Sequence, residues 1–403
     1  MNAASLTQNA LASRPDHVPE SLVYAFDYFT DPSRAVDVQA GMAQLHRAAP
    51  RVFWTPANGG HWIVSHMADL QTVSTRPDLF SSEVAPPFPF ERGRTPAPPQ
   101  DMDGREHLQH RMLLLQFFAP KAVRELEPKL RELMRGLLDE IGDERSCEFK
   151  TAVAIPFPVK LFLTLMGMEL DRYAEFVSWV NDYIIGTDPQ ASVAAFRKMT
   201  AYIANMVDER LANPGDDVVS VLLRSEVDGV VLAPQTVRDM CKLLFVAGLD
   251  TVTNAMCFIM QHLARDHALQ DRLREDPALI APAIEEFLRR YSFVNLPRKA
   301  RVDNDVLGVQ MKAGDVVLIS ISAANNDDDA FVAPEKFDLN RPANRHIAFN
   351  TGPHNCVGAA LARQELTVLL EEWLSRFPNV SLGAVPPQRG GPIMSLTELQ
   401  LVW

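Results

Sequence analysis

The chain has 403 residues, 47% of them apolar, enough for a large core and, by length alone, for two or three domains. Thirty-nine Lys and Arg against 51 Asp and Glu give a formal net charge of −12, which argues against a nucleic-acid binder. Cys147, Cys241, Cys257 and Cys356 form no CxxC pair, so neither a zinc site nor a disulfide framework is suggested.

Met1 to Pro19 is polar and lacks a signal-peptide pattern. No uncharged apolar run approaches the ~20 residues that span a bilayer, so a cytoplasmic, unanchored protein is expected. Asp31-Pro32 reads as the start of a helix over 33–48, with Pro32 at the favoured first position. Arg51 to Trp54, a turn at Ala57 to Gly60, and His61 to Ser65 read as a β-hairpin. Between Pro86 and Pro99 six prolines exclude regular structure. A long loop of this kind in a compact domain tends to carry function. From Arg105 to about Asp276 the pattern is mostly helical, with Val123, Leu126, Leu130, Leu133, Leu137 and Ile141 at helical spacing. Asn213-Pro214-Gly215-Asp216 interrupts it. The run from Pro234 to Leu263 is apolar on nearly every face in its middle, the mark of a helix buried in the core. Another helix is expected from Ala278 to Tyr291, then strands over Val306–Val309 and Val316–Ser320. Asp327-Asp328-Asp329 reads as a solvated loop. With no repeat, low-complexity tract or linker, the expectation is one domain over 1–403, mainly α with small β-sheets.

Inside the buried helix stands Ala247-Gly248-Leu249-Asp250-Thr251. A buried Asp is costly unless paired or used. Gly248 weakens a helix interior by about 1 kcal/mol relative to Ala. Thr251 is placed to hydrogen-bond the Ala247 carbonyl and bend the helix. Together they open a polar notch in an apolar rod; a tolerated kink is the alternative.

Near the C-terminus, Phe349-Asn350-Thr351-Gly352-Pro353-His354-Asn355-Cys356-Val357-Gly358 leads into a helix. The unpaired N–H groups and partial positive charge of a helix start favour thiolate over thiol. Cys356 is therefore read as an anionic ligand or nucleophile. Gly352 turns the loop tightly, and Gly358 lets something flat and large approach the backbone. A planar macrocycle over a thiolate meets those demands. A small buried hydrophobe, or a cysteine hydrolase using the nearby histidine, are the other readings.

The pattern Phe-x-x-Gly-x-x-x-Cys-x-Gly resembles the haem-binding loop of the cytochrome P450 family, in which the cysteine is the proximal ligand of haem iron. Ala-Gly-x-Asp-Thr resembles the oxygen-activating helix of that family. The resemblance runs nearly end to end and extends to the bacterial camphor-hydroxylase branch, through Leu243 to Thr251 and the ending Leu401-Val402-Trp403. It implies a cytochrome P450-like fold, with a long buried central helix over haem b (iron protoporphyrin IX) and a Cys-ligand loop beneath it. It also implies a monooxygenase that inserts one atom of dioxygen into an unactivated C–H bond of a small apolar, terpenoid substrate (a monoterpenoid or norisoprenoid).

By the same resemblance Cys356 ligates iron. Asp250 and Thr251 form the acid–alcohol pair that supplies protons for dioxygen reduction. Gly248, Phe349 and Gly358 lie against the cofactor, and His107, Arg111, Arg298 and His354 meet its propionates. Glu286-x-x-Arg289 with Arg341 resembles the family's structural triad. The substrate pocket is implied at the Pro86–Pro99 loop, Leu243, Val246, Ala247 and Val294, closed by Ile393 and Met394. There is one departure. Where camphor hydroxylase holds its ketone with a tyrosine, this chain has Thr95, whose shorter side chain disfavours camphor and points to another compact terpenoid. Tyr183 is the alternative phenol. No flavin or nicotinamide fingerprint appears, so electrons are expected from a [2Fe–2S] ferredoxin and an NADH-dependent ferredoxin reductase. The expected docking patch includes Arg111, Arg345 and Arg363. A monomer without nucleic-acid or membrane partners is expected. A peroxide-driven peroxygenase and a non-catalytic haem sensor are the alternatives; retention of the acid–alcohol pair counts against both.

Overall fold

The computed structural model describes residues 11–32, 37–90, 95–184, 186–342 and 344–403. Residues 33–36 of the expected first helix and 91–94 of the proline-rich loop lie outside them. The first helix, α1 (Val38–Ala48), starts later than expected, because the side chain of Asp37 rather than Asp31 accepts the free amides of Gln39 and Ala40.

The expected hairpin forms from β1 (Val52–Thr55) and β2 (His61–Val64), paired antiparallel from Val52 opposite Val64 to Thr55 opposite His61. Then come α2 (Met67–Thr75), β3 (Phe80–Ser81), α3 (Gly104–Phe118), α4 (Pro120–Ile141), β4 (Ser146–Glu148), α5 (Pro156–Met166), α6 (Tyr173–Ile184), α7 (Pro189–Ala212) and α8 (Val218–Leu223). A two-residue-strand hairpin, β5 (Glu226–Val227) and β6 (Val230–Val231), precedes α9 (Pro234–Gly248) and α10 (Thr251–Leu263). The chain continues through α11 (His267–Glu275), α12 (Ile280–Arg290), β7 (Asn295–Ala300), β8 (Val316–Ser320), α13 (Ile321–Ala324) and α14 (Ala359–Arg376). It ends with β9 (Ser381–Leu382), β10 (Gln388–Arg389), β11 (Ser395–Leu396) and β12 (Gln400–Val402).

Helices dominate and share one large apolar core, while a second, smaller core lies against the sheet β1-β2-β8-β7-β3. The stretch Pro234–Leu263 is the one described run long and apolar enough to cross a membrane, and its apolar window is mostly buried inside the protein instead.

Three expectations need correcting. Val306–Val309 is not a strand. Gly308, at φ 74°, closes a tight turn there, leaving only an isolated bridge between Asn304 and Met311. The strand is β7, which its Pro297 disguised. Pro297 faces Leu318 of β8, and on its other side β3 reaches only Lys299 and Ala300, so no partner there requires the missing N–H. Finally, Asp327 is not solvated. It is buried, and its carboxylate accepts the amides of Met67 and Asp329.

Candidate functional site

The buried run breaks where the notch was expected. α9 ends at Gly248, and Asp250 leaves helical geometry at φ −129°, ψ −30° before α10 begins. The Thr251 hydroxyl donates to the Ala247 carbonyl at 3.0 Å, the acceptor that an uninterrupted helix gives to the Thr251 amide. Gly248 has a packing reason: a Cβ there would stand 2.6 Å from the Phe162 ring on α5. It lines the chamber, but its lack of a side chain lets α5 and α9 approach.

Thr251, Phe349, Cys356 and Gly358 together line the wall of a chamber of about 330 Å³. Asp250 is not on that wall. Its buried carboxylate turns behind the break and accepts from Asn254 Nδ2 at 2.7 Å. Burial pushes its pKa up, opposed by Lys150, the Asn254 hydrogen bond and Arg389. Arg389 is exposed, so the acid lies between the chamber and a cationic edge open to water.

The cysteine loop is built by local turns. Asn350, at φ 61°, and Gly352, at φ 71°, fold it, and a Cβ on Gly352 would meet the Ser74 carbonyl at 2.6 Å. The Cys356 amide donates to the Phe349 carbonyl at 2.8 Å, and Asn350 Oδ1 accepts from Ser74 Oγ at 3.0 Å. Cys356 is a free cysteine open to the chamber. Burial pushes the thiol pKa up, and the Gly358 amide, Arg111 and Arg363 oppose it; a metal ion held by the sulfur would favour the thiolate further. A Cβ on Gly358 would meet only Cys356 Sγ, at 3.9 Å, so no protein packing requires glycine there.

The same chamber is lined by cations that have no ion pair among the described residues. Arg298 on β7 is 5% exposed, and its Nη1 donates to the Pro297 carbonyl at 2.7 Å; burial pushes its pKa down to about 10. Arg111 on α3 is held down by burial too, and among the described residues neither arginine has an ion pair. His107, 1% exposed, has a buried Nδ1 with no partner, and its ring centroid is 4.0 Å from that of His354. Burial, His354 and Arg111 push the His107 pKa down to about 4. His354 lies 3.0 Å from Ser82 Oγ and 3.7 Å from Asp103. An anionic group with two carboxylates fits this cradle, since buried charges need partners.

The segment entering the loop is clamped. Glu286 takes two bonds from Arg289, at 2.8 and 2.9 Å, and two from Arg341, at 3.0 and 3.1 Å. Arg289, 0% exposed, also donates to the Asn325 and Lys336 carbonyls, so the triad pins the irregular chain onto α12. Arg363 is held by Glu285 at 2.6 and 2.9 Å and lies 4.6 Å over the Phe349 ring.

Leu243, Ala247 and Val294 line the main chamber. Thr95, Tyr183, Leu243 and Val246 meet instead in an adjoining chamber of about 170 Å³, so Leu243 stands between the two. Ile393 and Met394 reach neither wall. Ile393 bridges Val294, and the buried Met394 donates its amide to the Phe293 carbonyl, so both support the wall from behind. Two ionisable side chains stand out among the wall residues that escaped the sequence reading. Lys242 lines the outer chamber. Glu365 on α14 lines the main one, and burial alone raises its pKa to about 8. A carboxylate on the apolar face of a helix was the available signal.

The comparisons agree with this geometry. The Cytochrome P450 family profile matches residues 159–399. "Probable cytochrome P450 127A1" of Sinorhizobium fredii is 35% identical over 96% of this chain and 96% of its own. "Steroid C26-monooxygenase" of Rhodococcus jostii is 31% identical over 98% of this chain and 87% of its own. Among solved structures, CYP101J2 superposes with a TM-score of 0.88 at 31% identity, covering 97% of this chain and 99% of its own. CYP101C1 gives 0.87 at 32%, covering 97% and 100%.

Proposed function

On the premise that the chain belongs to the cytochrome P450 family, resembles its camphor-hydroxylase branch and is a haem b monooxygenase, we propose a reading of its substrate, its electron donor and its residues. The substrate is a small apolar terpenoid, a monoterpenoid or norisoprenoid, hydroxylated at an unactivated C–H bond with electrons from a [2Fe–2S] ferredoxin. One observation carries this reading: the cysteine loop and the broken helix line one chamber together with Arg111 and Arg298, which have no ion pair among the described residues.

In this reading Cys356 holds the iron, and Arg111 and Arg298, with His107 and His354, meet the propionates. The bound haem supplies the oxygen chemistry, with thiolate ligation favouring O–O cleavage. The chain supplies position and protons. Leu243, Ala247 and Val294 hold the substrate's apolar body, and Thr95 or Tyr183 offers a hydroxyl in the outer chamber. Thr251 presents its hydroxyl at the chamber wall. Asp250 brings protons from the side of Lys150 and Arg389 by turning between Asn254 and the wall. Thr95, in place of the phenol of camphor hydroxylase, supports a substrate other than camphor. The protein is taken as one cytoplasmic, monomeric domain.

Two measurements test this. Terpenoids are screened for the low-to-high-spin shift of the haem band; binding of steroids with no terpenoid response overturns the substrate class. Thr251→Ala is then assayed with ferredoxin, reductase and NADH. It should retain haem and consume NADH while product per NADH falls by about tenfold or more. Unchanged coupling removes Thr251 from its role. Turnover with peroxide alone that matches the ferredoxin system favours the peroxygenase reading.

A further inference from the structure

Away from both chambers, three distant parts of the chain converge. His46 lies in the last turn of α1, His66 caps α2 and Asp327 follows α13. One donor atom from each lies within 4.8 Å of the other two. His46 Nε2 is 3.4 Å from Asp327 Oδ1, and the two imidazole centroids are 4.1 Å apart. His46 and Asp327 are buried; His66 is partly so.

The outer contacts orient all three groups. The Ser65 carbonyl lies 3.3 Å from His46 Nδ1, and the Ser65 hydroxyl lies 3.3 Å from His66 Nδ1. The Ser65 carbonyl can only accept, so His46 carries its proton on Nδ1 and presents its Nε2 lone pair, and the Ser65 hydroxyl can accept from His66 Nδ1 in the same way. The Asp327 carboxylate is fixed by two backbone amides, Met67 and Asp329, each at 2.8 Å. Of the nearby cations, Arg47 pairs with Asp328 and Glu335, while Arg51 pairs with Asp69 and Asp329 and lies close enough to act on Asp327 and His66. Two imidazoles and a carboxylate, each held through its outer atom, are what a zinc ion uses. Tetrahedral bonds of about 2.0–2.2 Å place donors about 3.4 Å apart, a separation that small rotations of these side chains reach.

We propose that His46, His66 and Asp327 form a divalent-cation site, separate from the haem, that selects zinc over calcium or magnesium because two of its three donors are imidazole nitrogens. Water completes the coordination from the exposed side of His66. The ion ties α1 and α2 to the turn after α13. Two residues before Asp327, the Asn325 carbonyl accepts from Arg289 and its side chain accepts from the Ile347 amide. The tie therefore extends to the segment that enters the cysteine loop. This is a structural clamp rather than a second active centre.

The test uses haem-loaded protein, stripped with EDTA and desalted, and titrated with zinc chloride by calorimetry. Zinc per haem iron is counted by mass spectrometry after equilibrium dialysis. One zinc per chain is expected, together with a higher thermal midpoint and slower haem loss to apomyoglobin. His66→Ala, at the partly exposed ligand, should weaken zinc by at least about tenfold and abolish the midpoint shift while keeping its haem. Asp328→Asn, a neighbouring carboxylate outside the triad, should bind as the parent does. Absence of stoichiometric zinc, or equal affinity in parent and His66→Ala, overturns the proposal and leaves His46 and Asp327 as a simple ion pair.

Discussion

Glu365 shows how one residue carries a measurable signature. Burial raises its carboxyl from the ordinary 4.5 to about 8. Between those values the unfolded chain has lost the proton that the folded chain keeps. The unfolded state then binds fewer protons, so stability falls as pH rises through this window and levels off above it. Glu365→Gln removes the titration. Its urea midpoint relative to the parent should therefore improve steadily from about pH 5 to about pH 8. A difference that does not change with pH would show the carboxyl already ionised inside the fold. The same scale separates Thr251 from Asp250. Neighbours in sequence, they face opposite ways, one to the chamber and one behind it.

Two elements owe their positions to close contacts. α9 approaches α5 through Gly248 and Phe162. Gly248→Ala should cost about 1–3 kcal/mol by overpacking. Adding Phe162→Leu should return part of that loss in urea denaturation, since touching sites couple; strictly additive losses would place the strain elsewhere. The segment after α13 is pinned to α12 by Glu286, Arg289 and Arg341. Arg289→Met leaves a buried carboxylate short of a partner and should cost about 3–5 kcal/mol, with faster haem release. An effect below about 1 kcal/mol would show that Arg341, the Asp338 amide and Asn344 hold Glu286 without it. Elements whose cues are contiguous were legible in sequence: the hairpin, the notch at Ala247 to Thr251, and the loop from Phe349 to Gly358. Those that depend on distant partners were not. β7 hid behind Pro297, Asp327 owes its burial to contacts with α1 and α2, and Ile393 and Met394 fell behind the wall because one turn of chain decides which residue faces the chamber. The division into two chambers at Leu243 was likewise invisible, since it depends on how separate elements pack.

The whole molecule carries −12, yet the proposed ferredoxin partner would itself be acidic. Of the three arginines expected to receive it, Arg363 is tied to Glu285 and Arg111 faces the chamber, while Arg345 is exposed in the segment entering the cysteine loop. Arg345→Glu should slow reduction by the proposed ferredoxin severalfold at low salt, and the gap should close as salt rises toward about 1 M, where the screening length is near 3 Å. Stopped-flow rates that ignore both changes would move the docking site elsewhere. The break between α9 and α10 has a longer reach. α9 packs with α5, α6, α7 and α8, whereas α10 packs with α11, α14 and β11. The joint therefore divides inheritance as well as structure. On the proposed reading, substitutions on α9 at Leu243 or Val246 would retune which molecule is accepted while Asp250 and Thr251 at the break stay as they are, so new substrate preferences could arise without rebuilding the proton supply.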